Sequence, residues 1–192
     1  MKSGVVIASN RLPVSVKRTK AGDLEFIRSI GGLTSSLSAY RKNEKKIWIG
    51  WPGIARDDLS AAEKRQITQE LARHHCVPVF LTQQEINDYY NGFSNSVLWL
   101  LFHNQPSVLG AAAQPAAWQT YRLVNERFAA TILKHAGADD VLWVHDYHLM
   151  LVPALLRAQR SHAQIGFFLH IPFPPASRLA CLPHAKELLR GT

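Results

Sequence analysis

Cysteine is nearly missing: Cys76 and Cys181 are the only two, far apart and with neither a second cysteine nor a metal-ligand spacing beside them. That excludes a disulfide framework and a thiolate metal site, and both read as reduced packing residues. Long hydrophobic runs are missing too. No stretch approaches the roughly 18 to 20 uncharged apolar residues of a membrane span, and MKSGVVIASNRLPV has neither the long apolar segment nor the cleavage site of a signal peptide. A cytoplasmic protein with no membrane partner is the expectation. The signatures GxGxxG and GxxxxGK[ST] do not occur, which leaves the ordinary dinucleotide and P-loop readings without an anchor. His145 and His148 stand three apart across a strand-to-helix junction with no carboxylate or cysteine cluster to complete a ligand set, so no metal is expected. With no repeat, low-complexity tract or linker, residues 1–192 are expected to form one domain.

Charge is plentiful. The formal net charge of +8 implies attraction to anions. Yet the densest basic patches, Lys17-Arg18-x-Lys20 and Arg41-Lys42-x-x-Lys45-Lys46, are not interleaved with aromatics as a base-stacking surface would be. Nucleic acid is therefore not the expected partner, and phosphorylated small molecules fit the same charge.

The apolar pattern predicts the fold class. GVVIAS (4–9), VLWV (141–144) and IGFFLH (165–170) are unbroken apolar runs, as strands buried on both faces are, and Ile47–Gly50 and CVPVFL (76–81) are read as further strands. Helical patterns separate them: Ser60-x-x-Glu63 and Thr82-x-x-Glu85 carry capping-box spacing, and PAAWQTYRLVNERFAATILKH sets Trp118, Tyr121, Val124, Phe128 and Ile132 on one face. HLMLVPALLRAQR is read as a helix with Pro153 inside it, and PVSVKRTKAGDLEFIRSI as a hairpin about Ala21-Gly22-Asp23. Gly31-Gly32 then opens a helix candidate, LTSSLSAYRKN. The expectation is α/β: a Rossmann-like parallel sheet with helices on both faces and an N-terminal β-hairpin.

Ligands of open parallel sheets bind beyond the carboxyl ends of the strands, and the polar residues fall there. GVVIAS runs into Asn10-Arg11, VLWV into His145-Asp146, and GFFL into His170. Arg11 suits phosphate or carboxylate, and Asp146 suits sugar hydroxyls or a proton. Gly31 and Gly32 either let a diphosphate approach backbone N–H groups or simply make a tight turn. NDYYNGFSNSVLWLLFH gathers Tyr89, Tyr90, Trp99 and His103, which is either a sugar-holding surface or core.

Six motifs, SNRLPV, GGL, WIGWPG, YYNGFSNSVLW, WVHDYHLMLVP and IGFFLHIPFP, occur in the order and approximate spacing of trehalose-6-phosphate synthases, and nearly the whole chain takes part in this resemblance. The resemblance implies a retaining glycosyltransferase of the two-Rossmann-domain GT-B type, transferring glucose from UDP-glucose to glucose 6-phosphate. It implies that Arg11 binds the acceptor phosphate, that Gly31 and Gly32 approach the donor, and that Tyr90, Trp99 and Asp146 hold glucose 6-phosphate. His170 would face the donor glucose. Asp146 and His170 are the candidates nearest the chemistry, and no metal or other cofactor is implied. Leu100 stands where the family usually has Pro, and PASRLACLP replaces the usual acidic residue and Phe. The family is much longer, so this chain resembles its N-terminal half and is expected to be inactive alone. A related glycosyltransferase with another acceptor, and a non-catalytic sugar-phosphate-binding or accessory module, are the alternatives; a homo-oligomer is left open.

Overall fold

The computed structural model describes residues 4–28, 46–105 and 115–192. In chain order these form β1 (Val5–Arg11), β2 (Val14–Arg18), β3 (Leu24–Arg28), β4 (Lys46–Trp51), α1 (Ala61–Ala72) and β5 (Cys76–Pro78). A continuous helix α2 follows, built of Gln83–Glu85, Ile86–Trp99 and Leu100–Phe102, then α3 (Pro115–His135), β6 (Val141–His145) and α4 (Val152–Gln159). β7 (Gln164–Phe168), α5 (Ala176–Leu179) and α6 (Ala185–Gly191) complete the described chain. Gly31, Gly32 and the helix expected after them lie outside the described residues.

β5, β4, β1, β6 and β7 form one sheet in that order, and every pairing is parallel. The chain moves outward from β1 through β4 to β5, then crosses back to β6 and β7 on the other side of β1. That is the strand order of a doubly wound Rossmann-like sheet, and its switch point lies beside β1. β2 and β3 make the expected antiparallel hairpin, outside the sheet. It is tied to the end of β4 by Leu12 N–H donating to Trp51 O at 3.0 Å and Val16 N–H to Pro52 O at 2.7 Å.

Side chains alternate across β1, so two cores form. Val6 and Ala8 face Ile49, Leu142, Val144 and the inner sides of α2, α3 and α4. Val5 and Ile7 face Trp48, the hairpin valines Val14 and Val16, and Ile67 and Leu71 of α1. β1 is buried on both faces except at Arg11, which is why it reads as an apolar run. The stripe Trp118, Tyr121, Val124, Phe128 and Ile132 is buried as expected. At about 1.5 to 3 kcal/mol per large apolar side chain, this stripe and the still larger buried set of α2 (Ile86, Tyr89, Phe93, Val97, Leu98, Leu101 and Phe102) are the main anchors of the first core. Both capping boxes form, Ser60 with Glu63 and Thr82 with Glu85.

Five expectations need correction. IGFFLH is not buried on both faces: β7 is an edge strand that ends at Phe168, none of its residues is fully buried, and Phe168 is 49% exposed. β5 stops at Pro78 instead of running to residue 81: Val79 N–H makes a last bond to Gly50 O at 2.8 Å, and Pro78 is tolerated because its nitrogen faces the open edge of the sheet. Pro153 lies in the first turn of α4, where no intrahelical N–H is needed, so it starts that helix and does not interrupt it. The helix opened by the Thr82-x-x-Glu85 box is not a plain α-helix: it continues to Phe102, and Ile86–Trp99 adopts the wide i→i+5 π geometry. Cys76 is buried, but Cys181 is exposed, its Sγ–H donating to Ser177 O at 3.3 Å; Leu179 and Leu182 take the inward positions around it.

Candidate functional site

The site begins with a miscount between two strands. Ala8 is in register with Ile49 but Arg11 with Trp51, so three steps of β1 oppose two of β4 and one residue bulges at Ser9–Asn10. Ser9 fixes the bulge, its Oγ donating to Arg11 O at 2.8 Å and accepting from Trp48 Nε1 at 2.7 Å. Asn10 is buried and accepts from Tyr89 Oη at 3.0 Å. Opposite the bulge sits Gly50, where a Cβ would lie 2.8 Å from Ser9 O and 2.9 Å from Arg11 C. The bulge therefore requires glycine in β4.

It also aims Arg11. The guanidinium lies 4.4 Å from the Trp51 ring centroid, a cation–π contact. Gly53, at φ 96°, flanks it so closely that a Cβ would stand 3.1 Å from Arg11 Nη1. Partial desolvation lowers the Arg11 pKa from the usual arginine value, yet the group stays a cation near neutral pH. Trp51, within WIGWPG, was not singled out as a site residue by the sequence; it ends β4, and the strand-end rule that picked out Arg11 applies to it equally.

The second arm is built at the end of β6. Asp146 N–H donates to Phe168 O at 2.8 Å, and the residue then adopts φ 76° and ψ 166°. That backbone region is essentially reserved for glycine and costs on the order of 1–3 kcal/mol, strain that concentrates at functional sites. One carboxylate oxygen, Oδ1, accepts from Tyr147 N–H at 3.0 Å and stands 3.4 Å from His170 N. Oδ2 takes no hydrogen bond among the described residues. Burial raises the Asp146 pKa, against the lowering effect of those two backbone N–H groups. His145, buried, meets exposed His170 ring to ring, Nδ1 to Nε2 at 3.0 Å.

Aromatic rings join the two arms. Tyr90 tilts against Trp51 at 5.8 Å and stacks on His148 at 5.7 Å, and His148 stacks in turn on Tyr147 at 4.0 Å. Tyr147 Oη donates to Asn95 Oδ1 at 3.0 Å. Below, Tyr121 Oη donates to Tyr147 O at 2.8 Å and accepts from Met150 N–H at 3.1 Å, fixing the loop after β6. Arg11, Tyr90, Asp146 and His170 thus share one edge. Trp99 shares α2 with Tyr90 and Asn95 at spacings of nine and four; its described ring contact is a stack on His103 at 4.0 Å, and it is 40% exposed. It is not packed into the cluster. Asn95, Tyr147 and His145 were not singled out as site residues by the sequence, because their places depend on how α2 and β7 dock.

An open cleft of about 720 Å³ adjoins the Arg11 seat on the hairpin side, bounded by Trp51, Gly53, Lys17, Arg18 and Gln83. Tyr90, Asp146 and His170 do not line it. Among the described residues, no group of three or more His, Cys, Asp or Glu is placed to hold a metal, and no helix is long and apolar enough to cross a membrane.

Comparison with known proteins places the chain in a family. An Aspergillus fumigatus UDP-forming α,α-trehalose-phosphate synthase is 43% identical over 194 residues, covering 97% of this chain and 39% of that relative. A solved Escherichia coli protein bound with UDP-2-fluoro glucose superposes with a TM-score of 0.75 at 29% identity over 98% of this chain and 38% of its own. A Burkholderia xenovorans UDP-forming trehalose-phosphate synthase in complex with glucose-6-phosphate gives a TM-score of 0.72 at 26% identity, over 99% of this chain and 38% of its own. The chain therefore spans well under half the length of the relatives it matches. Residues 3–192 match the model of glycosyltransferase family 20, and the chain belongs to that family.

Proposed function

We propose that this chain is the acceptor-binding half of a retaining, UDP-forming trehalose-phosphate synthase and that its carboxyl edge binds glucose 6-phosphate. In this reading the Arg11 guanidinium, backed by Trp51, takes the phosphate by charge-assisted hydrogen bonds. The sugar lies along Tyr90 toward Asp146, whose Oδ2 accepts from hydroxyls. Trp99 closes the acceptor from the far end of α2. His170 faces the donor glucose, Gly31 and Gly32 approach the donor, and a second domain grips the nucleotide diphosphate. No nucleophile is required of this half: the leaving phosphate accepts the acceptor's hydroxyl proton on the face of attack, and the protein contributes orientation and charge stabilisation. No metal or other cofactor takes part.

The observation that carries this reading is Asp146. Its glycine-type backbone holds a carboxylate at the sheet edge with one oxygen fixed by backbone N–H groups and the other free, on the same edge as a cation braced over an indole. A cation and an acceptor joined by aromatic planes match a sugar phosphate better than a nucleic acid or a lipid.

Calorimetric titration of the chain with glucose 6-phosphate tests it. Binding should be measurable, and Arg11→Ala should weaken it by roughly 2 kcal/mol, about 30-fold, as expected for a lost charge-assisted contact. UDP release from UDP-glucose should stay far below that of a full-length synthase. A folded chain that ignores glucose 6-phosphate, or binding unchanged in Arg11→Ala, would refute the proposal.

A further inference from the structure

His145 has no part in the reading above, yet it is the most fully buried histidine described, 1% exposed. It ends β6, pairs in register with Phe168 of β7, and so comes to lie against His170 two residues beyond. The two rings have centroids 5.2 Å apart while Nδ1 of His145 and Nε2 of His170 are 3.0 Å apart, with planes 23° from parallel. The difference between those distances leaves one ring radius on each side. The rings therefore meet edge to edge, along the line of a lone pair and an N–H, and not face to face.

Such a contact requires one nitrogen to be protonated and the other bare. Two arrangements satisfy it. If His170 Nε2–H donates, His145 must carry its own proton on Nε2. That atom is buried and has no hydrogen-bond partner, so the arrangement strands a donor in the interior. If His145 Nδ1–H donates, Nε2 of His145 is a bare lone pair. An orphaned buried N–H is the rarer and costlier of the two defects. His170 Nε2 is then the acceptor, and its single proton resides on Nδ1, the nitrogen with no hydrogen-bond partner among the described residues.

We infer that His145 is a positioning residue that donates from Nδ1 to His170 and so fixes the exposed histidine as the Nδ1–H tautomer. The ring is consequently a hydrogen-bond donor toward the space beyond the sheet edge whenever it is neutral. Burial, with His170 beside it, holds the His145 pKa down at about 4, so the donor is a neutral ring near neutral pH. Backbone geometry supports the same corner: His170 N lies 3.4 Å from Asp146 Oδ1. Asp146 Oδ2 is then an acceptor and His170 Nδ1 a donor on adjacent strand ends, the pair that one sugar hydroxyl needs to donate and accept at once. That last consequence rests on the proposed function; the tautomer does not.

The test is the two-bond proton–nitrogen correlation spectrum of the nitrogen-15-labelled chain at neutral pH without ligand, which separates protonated from bare imidazole nitrogens. His170 is expected to show a bare Nε2 and a protonated Nδ1. In His145→Phe, which offers no hydrogen-bonding atom, the two His170 nitrogens should exchange character, since free histidine prefers Nε2–H. In His145→Asn, whose amide NH₂ takes the place of Nδ1–H, the wild-type pattern should persist. A wild-type His170 with Nε2 protonated overturns the inference, as does a folded His145→Phe that keeps the Nδ1–H form. The wild-type spectrum decides even if a variant fails to fold. Failure to bind glucose 6-phosphate would count against the function alone, since the nitrogen shifts are read with no sugar present.

Discussion

Replacing Asp146 by glycine and, separately, by alanine should separate the backbone strain at the site from its side-chain contacts. Both changes delete the carboxylate, and with it the hydrogen bond from Tyr147 N–H at 3.0 Å and the contact at 3.4 Å with His170 N. They differ only in backbone tolerance. At φ 76° and ψ 166° alanine retains the full steric conflict, while glycine relieves about 1–3 kcal/mol of it. Glycine gives back about 0.5–1 kcal/mol through its more disordered unfolded state. Glycine should therefore be more stable than alanine by roughly 1–2 kcal/mol. At 2–4 °C per kcal/mol for a chain of this size, that is roughly a 2–8 °C higher Tm. Both variants should lose glucose 6-phosphate affinity equally, since neither offers an acceptor. Differential scanning calorimetry beside ligand titration reads both quantities. An alanine variant as stable as the glycine variant would show that the backbone at Asp146 is not strained, and would remove the main reason for assigning it a functional role.

Three further outcomes follow from the same geometry. Acidification should destabilise the fold: burial holds His145 at about 4 and His148 at about 3 against an ordinary 6.5, so below 6.5 the unfolded chain takes up protons the folded chain refuses, and stability falls with pH. At pH 5 each ring costs about 2 kcal/mol, about 4 together, and urea midpoints at pH 7 and 5 should differ by roughly 2 M for an m-value near 2 kcal/mol/M; equal midpoints would mean that the two rings are not held neutral by burial. Gly50→Ala should destabilise by about 1–3 kcal/mol and weaken glucose 6-phosphate binding, because the added Cβ meets backbone of the bulge at 2.8 and 2.9 Å; a variant with normal affinity would disconnect the bulge from the aim of Arg11. Arg127→Met removes the two-pronged contact with the Glu85 carboxylate at 2.7 and 2.5 Å, a pair only partly buried, so the loss should be about 2 kcal/mol, below that of a fully buried pair, seen as a Tm lower by about 4–8 °C.

What the sequence carried and what it concealed divide along a physical line. Strands buried on both faces announce themselves as apolar runs, and GVVIAS and VLWV are read correctly because each residue reports its own environment. Capping boxes are equally local, and both predicted ones form. The bulge in β1 is not local: it is a count of residues between two strands separated by a long stretch of chain, and its sole trace is Gly50 in a strand that otherwise prefers side chains. The positive φ of Asp146 left no signal at all, since nothing in VHDYH distinguishes a strained aspartate from a relaxed one.

The same line runs through the site. Placing Arg11, Asp146 and His170 at one edge required only that three strands be parallel, which composition predicts. Knowing what state each side chain is in required the register between β6 and β7, for it is the pairing of His145 with Phe168 that brings His145 to His170. A shift of that register by one residue would leave every motif intact in the sequence while turning His145 to the other face of the sheet. It would then present Asp146 and His170 to a ligand with no fixed proton between them.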